Sequence, residues 1–155
     1  MVYLVRGFVV TLFFVLLASP AVSGKPKAEK PAAKSGDLTG RYERGTKEIG
    51  SLLLMKKMDG DKYKFYLNSN WTSQTTDQDN TGLEFGVITV KDSKATYNST
   101  PDPKAGFQLS FDFSKPDTCS MDCVRPENFG GKNVSPKGLY NRVSKKAPAD
   151  SEFKE

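Results

Sequence analysis

Ser93 and Lys94 stand side by side in the stretch VKDSKATYNS, with Tyr97 three residues on. A hydroxyl beside an ammonium suits a carboxylate-lined cleft, where charge-assisted hydrogen bonds form. Cys119 and Cys123, in CSMDC, are the only thiols. In an exported chain they are expected to be oxidised to a disulfide. The loop closed is short, so the gain is only about 2 kcal/mol. A redox pair usually has two intervening residues, not three. Asp77, Asp79 and Thr81 alternate ahead of Gly82 as in half of a calcium loop, but Ile88 stands where the bidentate Glu belongs. No metal site and no cofactor are expected. The spacing of Glu48, Glu84 and Asp112 does not pair two acids across a cleft. The chain has 0 His, which removes His-based nucleophile activation, His zinc sites and imidazole acid–base work. A non-enzymatic protein is the expectation.

Targeting and charge come next. Arg6, the apolar run from Phe8 to Ala18 and SPAVSG read as a secretory signal over residues 1–23. The run is too short to span a bilayer, so no stable membrane insertion is expected after cleavage. Residues 24–36 hold four Lys and one Glu and form a disordered Lys/Pro/Ala-rich spacer. Residues 37–143 form the domain, and 144–155 a flexible C-terminal tail. The formal charge of +5 resides mainly in the spacer, leaving the domain near +1. Nucleic-acid binding needs a basic face on the folded part, so no nucleic-acid partner is expected. The location is periplasmic or secreted.

The elements that position these residues follow a period of two with Gly, Pro, Asn and Asp between, as in an all-β protein. LTGRYER, IGSLLLMKKM, YKFYLNSNW, LEFGVITVKD, ATYNS, FQLSFDFS and KGLYNRV read as strands. Asp59-Gly60 suits a two-residue type I′ hairpin. KPDTCSMDCVRPENFGGKN reads as a long loop with one helical turn. Seven or eight short antiparallel strands expose two edges, and curling into a barrel removes them.

The first and last strands carry the same pattern, Gly-x-Tyr-x-Arg: GRYER at Gly40, Tyr42 and Arg44, and GLYNR at Gly138, Tyr140 and Arg142. Adjacent first and last strands would give the repeat a physical sense. The glycines allow close approach, the tyrosines pack at a barrel end, and each arginine lies across a Tyr ring or caps carbonyls. In this the chain resembles the calycin barrels, which carry Gly-x-Trp on the first strand and a covering basic residue on the last.

Ser93, Lys94, Ala95 and Tyr97 resemble the pattern of the bacterial periplasmic C-type lysozyme inhibitors, and the closing segment GGKNVSPKGLYNR is similar to the C-terminal segments of other small exported bacterial inhibitor-like domains. The lysozyme inhibitors are small antiparallel barrels that insert Ser and Lys side chains from a loop into the lysozyme cleft. The Ser-Gly-Ser-Gly character of that loop is missing here. The resemblance implies a protein partner, a cell-wall hydrolase of the muramidase class, contacted by Ser93, Lys94 and Tyr97. Two other functions fit an exported barrel: a calycin-like carrier of a small apolar ligand, and an immunity protein against a secreted toxin. A barrel interior filled by Phe107, Leu109, Phe111 and Phe113 would speak against the carrier.

Overall fold

The computed structural model describes residues 36–46, 49–73, 75, 78–102 and 104–153. The signal and all but the last residue of the spacer lie outside them, as do Glu48 and Asp77. The described chain forms β1 (Gly40–Gly45), β2 (Ile49–Lys57), β3 (Lys62–Thr72), β4 (Asp79–Thr89), β5 (Lys94–Asn98), β6 (Gln108–Asp112) and β7 (Thr118–Val124). A four-residue helix α1 (Glu127–Gly130), β8 (Gly138–Ser144) and a 3-10 turn (Asp150–Phe153) complete it. All strand pairs are antiparallel. The sheet order is β4-β3-β2-β1-β8-β7-β6-β5, a nearly closed barrel.

The first and last strands are neighbours, as the repeat implied. Tyr42 faces Arg142, and Glu43 faces Asn141. This pair sits in the middle of the sheet. The seam of the barrel lies elsewhere, between β4 and β5.

Alternation places Tyr42, Leu53, Met55, Phe65, Leu67, Ile88, Leu109, Phe111, Cys119, Met121 and Tyr140 inside, each 2% exposed or less. At that burial each large side chain contributes roughly 1.5–3 kcal/mol. Phe65 lies edge-on to Tyr97 at 5.0 Å and to Phe111 at 5.4 Å between ring centroids. The unbroken run Leu52–Met55 follows from burial on both faces of β2. Leu53 and Met55 face the core, and Leu54 is covered from outside by the segment containing Ala147, Pro148 and Glu152.

That covering segment departs from the flexible tail expected over 144–155. Phe153 is buried, Lys64 lies 4.8 Å from its ring centre, and Lys56 pairs with Asp150 at 2.9 Å. The buried Pro148 and Phe153, with the ion pairs Lys145–Asp117 and Lys56–Asp150, fasten the segment. The 59–60 hairpin also differs. Its loop is three residues long, closed by the Met58 N–H bonding the Lys62 carbonyl at 2.9 Å.

The disulfide expectation is overturned. Cys119 and Cys123 are free and lie in one strand, β7. CSMDC is a strand alternation, with Cys119, Met121 and Cys123 inward and Ser120 and Asp122 outward. Four residues of strand span about 13 Å, whereas a disulfide needs Cα atoms roughly 4.4–6.8 Å apart. Burial pushes the Cys119 thiol well above the ordinary range and Cys123 up to about 11. Both thiols should therefore be unreactive in the native protein. Alkylation by iodoacetamide at neutral pH is expected to be slow until denaturant is added, and reductant should leave the melting temperature unchanged. Fast native labelling, or a reductant-sensitive melt, would contradict this.

Candidate functional site

Two regions hold the residues singled out by the sequence. The first is the pair of Gly-Tyr-Arg motifs at the centre of the sheet. Each Tyr hydroxyl donates to the carbonyl four residues before it: Tyr42 to Leu38 at 3.0 Å, and Tyr140 to Pro136 at 2.7 Å. Each Arg covers the Tyr of the other motif. The Arg142 guanidinium lies 5.7 Å from the Tyr42 ring centre, and Arg44 lies 5.6 Å from that of Tyr140. The exchange is reciprocal because the antiparallel register sets each Arg opposite the partner Tyr, about a local two-fold between Glu43 and Asn141.

The glycines are required. Gly40 and Gly138 have φ of +149° and +145°. A Cβ at Gly40 would run into the Ser144 carbonyl, and one at Gly138 would sit 2.6 Å from Arg44 Cδ. Burial pushes Tyr42 up to about 12 and raises Tyr140 as well. Both rings therefore stay neutral through the physiological range.

The two arginines differ in their polar partners. Arg142 donates to the Thr39 carbonyl and pairs with Asp117 at 3.4 Å. Arg44 donates to Ser51 Oγ at 2.7 Å and to the Ser135 carbonyl at 2.6 Å, both neutral acceptors. Ser51 in turn donates to Ser69 Oγ at 2.8 Å.

The second region is the β4–β5 connection. Asp92 and Ser93 have φ of +49° and +64°, and Lys91 and Lys94 exchange both backbone bonds, at 2.8 and 2.9 Å. This is a type I′ hairpin made without glycine, its twist matched to the flanking strands. Ser93 is buried, and its carbonyl accepts the Phe113 N–H at 2.7 Å. Lys94 is exposed, and its register partner on β6 is Asp112.

Tyr97 is half-buried and points inward. Its hydroxyl donates to Glu84 Oε1 at 2.9 Å and lies 3.4 Å from the Phe85 carbonyl. Burial first, and the Glu84 bond second, push it up to about 12. The barrel thus brings Ser93, Lys94 and Tyr97 close in sequence but not onto one surface. Lys94 alone stands exposed at the tip, Ser93 supports the hairpin from beneath, and Tyr97 fastens the seam.

The seam has a second fastener that the sequence did not reveal. Phe129 of α1 lies over Gly82 of β4, where a Cβ would strike its ring. Asn80 Nδ2 donates to the Lys132 carbonyl at 2.9 Å. Gly86 likewise leaves room for the Tyr97 ring. Side chains therefore close the edges that backbone ladders leave open.

Of the candidate carboxylates, Glu48 lies outside the described residues and the other two are engaged in structure: Glu84 accepts from Tyr97, and Asp112 accepts the Ser114 N–H at 2.8 Å. Asp79 and Thr81, read as part of a loop, are exposed residues of β4. Among the described residues no group of three or more His, Cys, Asp or Glu is placed to hold a metal.

Two surface grooves flank the central strands. One, of about 540 Å³, lies by Leu38, Phe113, Pro116, Asp117, Arg142 and Lys145. The other, of about 520 Å³, follows the β1–β2 hairpin by Arg44, Thr46, Ser51, Asn68 and Asn70. Comparison of the chain with protein-family models, with curated proteins and with solved structures found no match.

Proposed function

We propose that the protein is an exported, non-catalytic binding protein that acts through its outer surface, with a muramidase-class wall hydrolase as its partner. The observation that carries the first half is the filled interior. Phe65, Phe111, Leu53, Met55, Leu67 and Leu109 are each 1% exposed or less and occupy the volume where a carrier would hold its ligand. Binding is left to the loops and the outer faces. The partner class rests on the Lys91–Lys94 hairpin. It is short, held by two backbone bonds and by Phe113, and it carries two exposed ammonium groups, Lys91 and Lys94, flanking its tip. A rigid tip loses little freedom on binding. An ammonium set between two carboxylates in a desolvated cleft makes strong bonds to both.

The test is inhibition of wall lysis by a panel of lysozymes and lytic enzymes. Lys94→Ala should weaken inhibition by about 2–5 kcal/mol, mainly through faster dissociation. Lys104→Ala, in the loop between β5 and β6, should change little. Inhibition of no enzyme in the panel would end the muramidase reading. Inhibition that survives Lys94→Ala would move the contact to another surface.

A further inference from the structure

We infer that the outer face of β4 is a docking surface for a second copy of this chain, the two strands packing face to face and antiparallel. This does not depend on the muramidase reading. The first ground is an open apolar stripe. Leu83, Phe85 and Val87 fill three successive outward positions of β4, and Tyr66 stands opposite Phe85 on β3. Phe85 is 43% exposed and Val87 49%. The other exposed large apolar residues form no such run. Leu139 and Val143 on β8 are separated by Asn141, Ile49 and Val124 stand at strand ends, and Met58 lies in a hairpin. β4 is also an edge of the sheet, joined to β5 only through the Lys91–Lys94 bridge. An uninterrupted apolar stripe on an edge strand marks a contact surface. The neighbouring outer surface is already covered in this way by the chain itself. The C-terminal segment lies over Leu54 on β2 and brings Phe153 against Lys64 on β3. Among the described residues that cover stops one strand short of β4.

The second ground is charge, and it selects the occupant. Asp79 is the exposed outward residue at one end of the stripe. At the other end Lys62 is exposed and faces Thr89 across the ladder. Neither makes an ion pair among the described residues. Gln74, Thr76 and Asp77, outside those residues and just before Asp79, add an acid and no base. Asp79 and Thr89 lie five positions on either side of Glu84. A two-fold axis through Glu84 therefore sets Leu83 of each copy on Phe85 of the other, and Asp79 of each beside Lys62 of the other. The Glu84 carboxylate turns inward to Tyr97, which keeps charge out of the centre. Parallel copies would set acid on acid and lysine on lysine. The face is thus complementary to itself in the antiparallel sense, as a two-fold interface requires.

The experiment is sedimentation equilibrium of the purified protein from about 1 µM to about 1 mM. The stripe is narrow beside the roughly 20–30 residues a side of a standard complex, so a weak dimer is expected, with a dissociation constant on the order of 10–100 µM. Phe85→Asp buries an unpaired carboxylate in the contact and should weaken the dimer at least about tenfold, with the circular dichroism unchanged. Val87→Asp takes its place if Phe85→Asp does not fold. Leu139→Asp, on the outer face of β8, should leave the dimer as it is. Asp79→Lys should weaken association, and adding Lys62→Asp should restore it, because each reversed charge again meets its opposite. A protein that stays monomeric to about 1 mM would overturn the inference and leave the face to a different protein or a lipid surface. So would a dimer that Leu139→Asp breaks as readily as Phe85→Asp, or one that the second charge reversal fails to restore.

Discussion

Arg142→Ala is expected to lower stability by about 3–5 kcal/mol, a large share of the total for a domain of this size. The side chain is 9% exposed and holds three things at once: the Tyr42 ring, the Thr39 carbonyl and Asp117. A desolvated cation–π contact contributes up to about 2 kcal/mol. Leaving a buried carbonyl without its donor costs about 1–3 kcal/mol more. Asp117 suffers least, because Lys145 remains 3.1 Å away. Arg142→Lys should restore less than half of the loss, since one ammonium cannot cover a ring and reach a carbonyl together. Urea unfolding with an unchanged m-value measures the effect. A loss below about 1 kcal/mol would mean that the reciprocal motif is not a principal clasp of the sheet.

Phe65→Ala should cost a comparable amount, about 3–5 kcal/mol, and it also bears on function. Phe65 is fully buried between Tyr97 and Phe111. Removing its ring leaves an apolar void that a water molecule has no polar partner to enter. The variant should therefore bind a small aromatic such as benzene and be stabilised by it, while the unaltered protein shows no response. A clear benzene-induced rise in the melting temperature of the unaltered protein would mean that the interior accepts guests. That would return the carrier reading to first place.

Much of this architecture was legible in the chain. The pairing of β1 with β8 could be read because two copies of one short pattern have a common purpose only if they meet. FQLSFDFS gave β6 and the flanking phenylalanines because its apolar positions alternate without interruption. Other parts were hidden for identifiable reasons. β7 reads as loop in the sequence because Pro and Gly flank a strand whose inward residues are two thiols and a methionine, and in a loop those thiols would be free to meet. On β4 the pattern is inverted: Leu83, Phe85 and Val87 point outward, while Gly82, Glu84 and Gly86 face the barrel. The space above those small inward positions is filled by Tyr97 and Phe129, which arrive from other elements. No local pattern can report a ring supplied from elsewhere. Ser93 reads as a surface hydroxyl because the segment bonded to it, through the Phe113 N–H, lies twenty residues away in the sequence. The two arginines could be read as covering groups. That Arg142 pairs with Asp117 emerges only when Asp117 is placed in space.

The central position of β1 and β8 has a consequence for how the chain can be rewired. Arg41 lies opposite Ser144, so the start of the first strand and the end of the last are side by side. No ladder longer than the single Lys91–Lys94 bridge joins β4 to β5. A circular permutant that links the region of Leu38 to that of Lys145, and opens between Asp92 and Ser93, would keep all seven strand ladders intact. The molecule is in this sense two four-stranded meanders hinged at their outer strands and welded at their inner ones. The natural chain order and the permuted order are two routes along one sheet.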